Sequence, residues 1–374
     1  MRFIHALESI VPYEPGAPIE HVMSRFGLEE VVKLASNEFP LPPFDEVKAA
    51  IVAALHDLNR YPDGHSVDLR AALAAHYARR PEEVMVGNGS CELLLFFGNA
   101  LLEAGDEVVY AEPSFSLYPT ICSLHDARAV RVPLRDYAHD LEAMRAAVTP
   151  RTKMVFVCNP NNPSGTYVPA KEVRAFVETV PDGVLVVLDE AYNEFVAADD
   201  WQDSLELQAE HPNVCILRTF SKIYGLCGLR VGYGLCSEEL KRAVDKVRQP
   251  FNVNLLAQVA ALEALKHQDQ VLWRRRQNAE LRAYMVAELA RLGRATVPSE
   301  ANFMLTSIEG LCRPQDQVCA ALMSQGAIVR DGNALGCPGW ARVSVGTREE
   351  IDFFLARLRS LQPNEATPEA GRAT

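Results

Sequence analysis

Residues 153–191 read KMVFVCNPNNPSGTYVPAKEVRAFVETVPDGVLVVLDEA, and this stretch decides the fold class. It contains two short apolar runs, at 153–160 and 183–191, with a helical pattern at 170–180 between them. Strands that are apolar throughout and separated by helices are typical of parallel sheets that are buried on both faces. The stretch therefore predicts two strands of a largely parallel sheet with helices on both faces.

The same alternation runs along the chain from about residue 45 to about residue 250. A helical pattern at 90–105 is one example of the segments between the apolar runs. The other predicted strands are residues 83–87, 107–112, 128–134, 214–220 and 229–236. Together these segments predict an α/β fold with a mostly parallel central sheet.

After about residue 255 the pattern changes. A long helical run at 255–293 precedes short predicted strands at 301–307, 327–332 and 340–346, which indicates a smaller α+β domain. We therefore predict an N-terminal arm that packs with the small domain, a large domain, a small C-terminal domain and a disordered tail. These four parts span residues 1–35, 36–260, 261–362 and 363–374.

Composition limits the partners of the chain. Its 374 residues are 48% apolar and 23% charged, which predicts a packed core. The formal net charge of −12 argues against nucleic acid or an anionic membrane as the main partner. The nine cysteines form no CxxC pair, and the chain holds neither a bilayer-spanning apolar segment nor the apolar run of a signal peptide. We therefore predict a soluble protein of the reducing cytoplasm.

Polar residues just after the predicted strands are candidates for a site, because ligands of such sheets bind beyond the carboxyl ends of the strands. Asp189 and Glu190 end one apolar run, and a buried acid requires a cationic or hydrogen-bonding partner. A helix cap or a structural ion pair would explain these acids equally well. The segment NPNNPSG (159–165) ends another strand, although its asparagines and prolines also suit an ordinary turn.

The segment EVMVGNGSCELL (83–94) leads from a predicted strand through a glycine turn into a predicted helix. This geometry presents backbone N–H groups to a phosphate. Glu92 stands where the third glycine of the dinucleotide fingerprint would be, which argues against a nicotinamide cofactor. The segment therefore predicts a phosphate site.

Lys222 lies in TFSKIYGLCGLR (219–230), where the next charged residue is Arg230. An apolar setting lowers the pKa of a lysine and leaves its amine neutral and nucleophilic. A phosphate site, an amide, a carboxylate and this lysine at four strand ends together match the needs of pyridoxal phosphate. A lysine holds that cofactor as a Schiff base, and an acid keeps its ring nitrogen protonated.

A set of short motifs spans about residues 10 to 355 and resembles a known family. The motifs are KLASNE (33–38), RYPD (60–63), PSFSLY (113–118), NPNNPSG (159–165), LDEAYNEF (188–195), RTFSKIYGLCGLRVGY (218–233), PFNVN (250–254) and ARVSVG (341–346). In order and spacing they resemble the fold-type-I aminotransferases, and within these they are most similar to the histidinol-phosphate aminotransferases. The resemblance implies a transaminase whose large domain binds pyridoxal 5'-phosphate.

The resemblance also implies the residues that act on the cofactor ring. Lys222 matches the lysine of the internal aldimine, which also moves the proton between substrate Cα and cofactor C4′. Asp189 matches the acid at the ring nitrogen, and Phe115 matches the aromatic residue that stacks on the ring. Asn162 and Tyr192 match the partners of the phenolic oxygen, so Lys222, Asp189 and Tyr192 are the catalytic residues it implies.

The phosphate shell follows from the same resemblance. Ser90, Cys91, Ser221 and Arg230 match its members, and the backbone amides of Ser90 and Cys91 suit this role better than a thiol does. Tyr61 matches a tyrosine that the family extends across a dimer interface to the phosphate of the neighbouring subunit. The resemblance therefore implies a homodimer, with no nucleic acid or membrane as partner.

Substrate-binding residues are implied by further matches. Arg342 resembles the arginine that grips the substrate carboxylate, and Arg330 resembles the one used for the phosphate of histidinol phosphate. Tyr13 resembles the arm tyrosine that closes over the substrate. Asn37 and Asn162 complete the predicted substrate-binding set, and no metal is predicted.

The activity implied is the interconversion of L-histidinol phosphate and 2-oxoglutarate with imidazole-acetol phosphate and L-glutamate, a step of histidine biosynthesis. One departure from the family pattern is Phe39, where a polar residue is common, and it suggests an apolar wall near the substrate ring. An aromatic amino-acid aminotransferase on the same scaffold is therefore the alternative. A phosphothreonine decarboxylase and a ligand sensor fused to a DNA-binding module are weaker alternatives, since no sequence feature asks for either.

Overall fold

The computed structural model describes residues 1–8, 10–12, 16–201, 204–311 and 313–362. The predicted tail and Tyr13 lie outside these residues. Among them the strands are β1 (Val32–Lys33), β2 (Val84–Gly87), β3 (Glu107–Glu112), β4 (Arg128–Pro133), β5 (Thr152–Cys158), β6 (Leu185–Asp189), β7 (Val214–Thr219), β8 (Gly232–Leu235), β9 (Phe303–Ser307), β10 (Ala327–Ile328), β11 (Arg330–Asp331) and β12 (Trp340–Ser344).

The described residues also form α-helices. They are α1 (Ile19–Phe26), α2 (Asp45–Ala54), α3 (Val67–His76), α4 (Ser90–Leu101), α5 (Leu117–Leu124), α6 (Leu141–Ala146), α7 (Ala170–Val177), α8 (Ser204–Glu210), α9 (Glu238–Val247), α10 (Leu255–Ala264), α11 (Gln268–Arg291), α12 (Gln315–Ser324) and α13 (Arg348–Ser360). Several begin at polar caps of the expected type: the side chain of Asn254 accepts the Ala257 N–H, and Thr347 and Glu350 form a capping box.

The central sheet has seven strands in the order β2-β8-β7-β6-β5-β3-β4. Strand β8 is antiparallel to both of its neighbours, and the other pairs run parallel. The prediction of a mostly parallel α/β sheet is therefore confirmed. The strand predicted at 229–236 begins only at Gly232, because Arg230 has a φ of 59°, which a strand cannot contain.

Helices cover both faces of this sheet, as predicted. Along β6, Val186 and Leu188 point into one apolar core, while Leu185 and Val187 point into the other. We call these the first core and the second core. The first core takes side chains from α2, α3, α7 and α10, and the second from α4, α5 and α9. This double coverage explains why the central strands are apolar at most positions.

The prediction of one continuous helix over 255–293 is wrong, because the chain leaves the helical conformation between Ala264 and Gln268. His267 adopts non-helical angles, with a φ of −105° and a ψ of 53°. Before the break, α10 buries alanines in the first core, whereas the distal part of α11 buries Met285 and Leu289 in the small C-terminal core. Two helices can follow these two surfaces, whereas one uninterrupted helix keeps a single direction.

The C-terminal part contains the three-stranded antiparallel sheet β11-β12-β9. The N-terminal segment joins it, since β1 pairs in parallel with β10 and α1 packs against α12. These contacts agree with an arm that packs on the small domain. The division of the chain into 1–35, 36–260 and 261–362 stays a prediction, and Leu265 and Val271 still pack in the first core.

The described residues contain no helix that is both long enough and apolar enough to cross a membrane.

Candidate active site

The residues predicted for the site follow the carboxyl ends of the parallel strands, which lie at one edge of the sheet. Asp189 ends β6, Ser221 and Lys222 follow β7, and Asn162 lies in the loop after β5. Arg230 precedes β8, and because that strand is antiparallel, its start lies at the same edge. The topology therefore brings together residues from distant parts of the sequence.

A cleft of about 320 Å³ lies between this edge and the C-terminal sheet. A cavity of this size can enclose a small ligand. The predicted residues that line it are Asn37, Phe115, Asn162, Tyr192, Lys222, Arg330 and Arg342. Other parts of its wall are formed by Ser36, Glu112, Pro113, Ser114, Ser116 and the segment 334–336.

Lys222 contributes an amine to the cleft. Its Nζ lies 5.5 Å from the centroid of the Tyr192 ring. Burial, together with the nearby positive charge of Arg342, lowers the pKa of Lys222 to about 8. Because an ordinary lysine titrates near 10.5, this amine has a much larger neutral fraction at physiological pH. That neutral amine is the form that attacks an aldehyde or accepts a proton.

Asp189 and Glu190 are adjacent in sequence but have different environments. Glu190 accepts a hydrogen bond of 2.9 Å from Nε of Arg218, so it forms the structural ion pair that the sequence left open. Asp189 is 3% exposed, and its Oδ2 accepts a hydrogen bond of 2.8 Å from the Tyr118 hydroxyl. Its Oδ1 has no hydrogen-bond partner among the described residues. Asp189 is therefore the acid available to a ligand.

Burial raises the pKa of Asp189 to about 6, although the hydrogen bonds from Tyr118 and from the Ala191 backbone oppose this rise. A buried carboxylate gains stability from a positively charged hydrogen-bond donor next to it. Asp189 is therefore suited to hold a protonated ring nitrogen.

The predicted phosphate site lies where α4 begins. Gly89 precedes the helix with a φ of 84°, and the first N–H groups of α4, from Ser90 and Cys91, have no partners within the helix. Arg230 donates from Nη1 to Ser221 Oγ at 3.2 Å. A Cβ atom on Gly89 would lie 2.5 Å from Nη2 of Arg230, and the positive φ at this position also favours glycine. A positive charge and free amides thus meet at one point, as an anion requires.

Burial raises the pKa of the Cys91 thiol, which therefore stays protonated near neutral pH. This agrees with a contribution from the backbone amide of Cys91 and not from its side chain.

A hydrogen-bond network connects the two sides of the cleft. The Tyr192 hydroxyl lies 3.0 Å from Nδ2 of Asn37 and 3.5 Å from Nδ2 of Asn162. Arg342 donates to Oδ1 of Asn162 at 2.6 Å and to the Ala35 carbonyl at 2.8 Å. The backbone N–H of Asn37 donates to Ser344 Oγ, which holds this segment against β12. The network fixes four of the predicted residues relative to one another.

Two arginines lie directly opposite each other on neighbouring strands, because Arg330 of β11 pairs in register with Arg342 of β12. Directly opposed residues point to the same face of a sheet, and both of these side chains line the cleft. Like charges in this position repel each other. The pair therefore makes the wall of the cleft that faces Lys222 attractive to anions.

Two predicted features have other positions. The interpretation of Phe39 as a wall near the substrate is wrong: its ring stacks on Phe195 at 6.1 Å, lies under the guanidinium of Arg274 and does not line this cleft. Tyr61 is 83% exposed and stacks on Phe251 at 4.7 Å, so it does not reach the cleft of its own chain. Its predicted role across a dimer interface stays a prediction.

Sequence reasoning missed two residues that support the site. Tyr118, which holds Asp189, lies within the motif PSFSLY, three positions after Phe115. This spacing places the two residues near one another, but it does not point to Asp189. Ser344, which holds Asn37, lies two positions after Arg342 and thus on the same face of β12. The alternation of side chains along β12 could have indicated that Ser344 lies on the same face as Arg342.

Comparisons with known proteins agree with this architecture. The family described as aminotransferase class I and II matches residues 29–358. The chain is 46% identical to a histidinol-phosphate aminotransferase from Moorella thermoacetica over 357 residues, covering 95% of this chain and 92% of that protein. It is 46% identical to one from Brevibacillus brevis over 349 residues, covering 93% of this chain and 95% of that protein.

Among solved structures, histidinol-phosphate aminotransferase from Sinorhizobium meliloti in complex with pyridoxal-5'-phosphate superposes with a TM-score of 0.88 at 32% identity. The match covers 96% of this chain and 97% of that one. Aspartate aminotransferase from Thermus thermophilus with maleate has the same fold, with a TM-score of 0.84 at 24% identity and 96% and 100% coverage. The predicted fold and resemblance are thus confirmed, and the chain belongs to the class I and II aminotransferases.

Proposed function

We propose that this chain is a pyridoxal-phosphate-dependent aminotransferase that interconverts L-histidinol phosphate and 2-oxoglutarate with imidazole-acetol phosphate and L-glutamate. The observation that carries the proposal is a cleft lined by Lys222 and by the pair Arg330 and Arg342, with Asp189 at the end of the neighbouring strand β6. The relatives of highest identity described above bear the name of this activity.

The residues of the cleft and of the adjoining strand ends fit pyridoxal phosphate on three independent observations. The buried Oδ1 of Asp189 has no hydrogen-bond partner in the part of the chain that the structure describes, and the ring nitrogen would supply one. Gly89 leaves room for Arg230 beside the first amides of α4, and the cofactor phosphate would occupy that place. Lys222 presents an amine whose pKa is lowered to about 8, as attachment to an aldehyde requires.

Bound pyridoxal phosphate would accept the electron pair that substrate Cα keeps when it loses its proton. Lys222 Nζ would take that proton and return it to the C4′ atom, since its lowered pKa of about 8 leaves part of the amine neutral at physiological pH. Asp189 Oδ1 would hold the ring nitrogen protonated. Asn162 and Tyr192 would orient the ring through its phenolic oxygen, and Phe115 would stack on its face.

The substrate anion is assigned to the two arginines. Histidinol phosphate has no carboxylate, so its phosphate would take the place that a carboxylate of glutamate takes in the other half-reaction. A guanidinium binds either group through paired hydrogen bonds. We assign Arg330 mainly to the phosphate and Arg342, which Asn162 and the Ala35 carbonyl hold in place, to the carboxylate. Phe39 was the sequence feature that suggested an aromatic amino-acid aminotransferase, and it no longer supports that alternative because it does not line the cleft.

A spectrophotometric panel of amino donors with 2-oxoglutarate tests this function. We expect a higher kcat/KM for histidinol phosphate than for phenylalanine or tyrosine. A higher value for either aromatic amino acid would assign the chain to the aromatic alternative. Absence of turnover with every donor, in protein reconstituted with pyridoxal phosphate, would overturn the proposal as a whole.

Replacing Arg330 by alanine should reduce kcat/KM for histidinol phosphate about ten- to a hundredfold more than for phenylalanine. A charge-assisted hydrogen bond contributes roughly 1.5–3 kcal/mol, and the phosphate of histidinol phosphate would lose at least one such bond. Steady-state kinetics with both donors measures the difference. Arg348→Ala, a change in an exposed ion pair with Asp352, is the matched control and should affect neither donor. An equal loss for both donors would show that Arg330 does not bind the phosphate of histidinol phosphate specifically.

We also propose a homodimer in which Tyr61 reaches the phosphate site of the partner subunit. Tyr61 is an exposed aromatic residue, and exposed apolar side chains precede it on α2 and in the turn after this helix: Val52, Leu55 and Leu58. Large exposed apolar side chains gathered in one region are typical of protein interfaces. The solvent-exposed stack of Tyr61 on Phe251 would be covered in such a dimer.

Subunit mixing tests the shared site. A Lys222→Ala protein and a Tyr61→Ala protein should each be impaired, but mixed dimers should regain activity at one of their two sites. That site combines Lys222 of one subunit with Tyr61 of the other. Native mass spectrometry confirms the exchange, and two wild-type samples treated in the same way serve as the control. Confirmed exchange without recovered activity would show that each subunit carries a complete site of its own.

A further inference from the structure

The position of Asp189 on β6 does not by itself determine which of its two carboxylate oxygens faces a ligand. It ends a strand whose alternate residues Leu185 and Val187 point into the second core, so its carboxylate points to the same side. A carboxylate there can rotate about its last bond and present either oxygen to the cleft. One oxygen, Oδ2, is fixed by the Tyr118 hydroxyl at 2.8 Å, and Oδ1 has no partner among the described residues.

Tyr118 is itself held rigidly. It lies at the start of α5, and its exposed fraction is 0%. Its ring stacks on Phe156 with the centroids 4.4 Å apart and the planes 10° apart. Two further aromatic rings, those of Phe115 and Tyr110, contact it edge-on at 5.7 and 5.8 Å. Packing on several sides leaves the hydroxyl one direction in which to point.

The direction of the hydrogen bond is set by protonation. Burial raises the pKa of Tyr118 well above its ordinary value of 10, and the negative charge of Asp189 raises it further, so the phenol keeps its proton and donates it. Burial raises the pKa of Asp189, and this donation lowers it. The other acidic group that raises the pKa of Asp189 is Glu190, which is paired with Arg218, and Asp189 in turn raises the pKa of the neighbouring Cys158 thiol.

We propose that Tyr118 is a positioning residue: its hydroxyl fixes Oδ2 of Asp189 and favours the ionised carboxylate, so that Oδ1 faces the ring nitrogen of pyridoxal phosphate. This inference rests on the proposed function. Without the hydroxyl, the proton shared between the ring nitrogen and Asp189 moves towards Asp189. The ring then carries less positive charge and withdraws electrons from the substrate less strongly.

The test compares Tyr118→Phe with the wild-type holoenzyme. Pyridoxal phosphate labelled with nitrogen-15 in the ring should show a chemical shift moved towards the unprotonated form in the variant. The apoenzyme of the variant should bind the cofactor about tenfold or more weakly, since the hydrogen bond that favours the ionised form of Asp189 is lost. The kcat for glutamate should fall, while KM should change little, because Tyr118 does not line the part of the cleft that holds the substrate.

Tyr224→Phe is the matched control, since it also removes a buried tyrosine hydroxyl, one that contacts Gln268 at 3.4 Å and not Asp189. It should leave the ring signal and the cofactor affinity at wild-type values. In an Asp189→Asn background, Tyr118→Phe should add no further shift, because the hydroxyl acts through the carboxylate. If Tyr118→Phe does not fold by circular dichroism, 3-fluorotyrosine at position 118, a stronger donor of nearly the same shape, should move the signal the opposite way.

An unchanged ring signal and affinity in folded Tyr118→Phe, or additive effects in the Asp189→Asn background, would overturn the inference. Failure of the proposed function looks different, because the wild-type protein itself would then bind no cofactor or transfer no amino group.

Discussion

Replacing Lys222 by alanine is expected to reduce kcat by about 10⁴-fold or more in both half-reactions. The change removes the amine that attaches the cofactor and also the base that moves the proton, and proton transfer alone contributes typically 10²–10⁴-fold. Pyridoxal phosphate should still bind, held without a covalent bond by the phosphate site and Asp189. Rapid-mixing absorbance measurements with glutamate give the rate. Borohydride reduction followed by peptide mapping should place the cofactor on Lys222 in the wild type only.

Two variants control this experiment. Lys222→Arg keeps a positive charge but supplies no neutral amine, so it should be as inactive as the alanine variant. Lys241→Ala removes a lysine that forms an ion pair with Asp245 on α9, and it should behave like the wild type. A cofactor adduct on any residue other than Lys222, or near-normal turnover by Lys222→Ala, would contradict the assigned mechanism.

Replacing Asp189 by asparagine is expected to reduce kcat by about 10²–10³-fold, the size of effect seen when one preorganised electrostatic contact to a reacting group is removed. A neutral amide cannot hold the ring nitrogen protonated. Asp189→Glu should cost much less, because a longer carboxylate keeps the charge. The rates with glutamate and histidinol phosphate, together with the nitrogen-15 signal of the ring, measure this difference.

Asp140→Asn serves as the control for Asp189→Asn. Asp140 caps α6 through a hydrogen bond to the Ala143 N–H, and asparagine caps a helix equally well, so this change should leave activity intact. If Asp189→Asn kept a near-normal rate and a protonated ring, the role of the carboxylate would be structural only.

Local patterns were sufficient to predict most of the fold. The apolar runs at 153–160 and 183–191 contain β5 and β6, because a strand covered on both faces needs apolar side chains along its central part. The break between Ala264 and Gln268 was not predictable in this way. Both parts have a helical pattern, and only the tertiary structure shows that α10 packs in the first core while the distal part of α11 packs in the C-terminal core.

The site likewise contains features that local sequence patterns predict and features that only tertiary contacts determine. Lys222 in its apolar setting and the glycine turn at Gly89 are local signals, and in the structure Lys222 lines the cleft and Gly89 precedes α4. Phe39 shows the limit of local reasoning: its side chain packs under Arg274, which is distant in sequence, and not into the cleft. The family pattern could indicate where Phe39 lies along the chain but not which way its ring points.

By itself the sequence determined the order of strands and helices, the residue types at the strand ends and the family, because these depend on periodicity and on motifs of a few residues. Only the tertiary structure decided which of two adjacent acids serves the cleft. Glu190 meets Arg218 on one side of the sheet, and Asp189 meets Tyr118 on the other. It also decided that Arg330 and Arg342 stand opposite each other. The physical reason is that hydrogen bonds and charge contacts act over a few ångströms between residues far apart in the chain, and folding alone brings them that close.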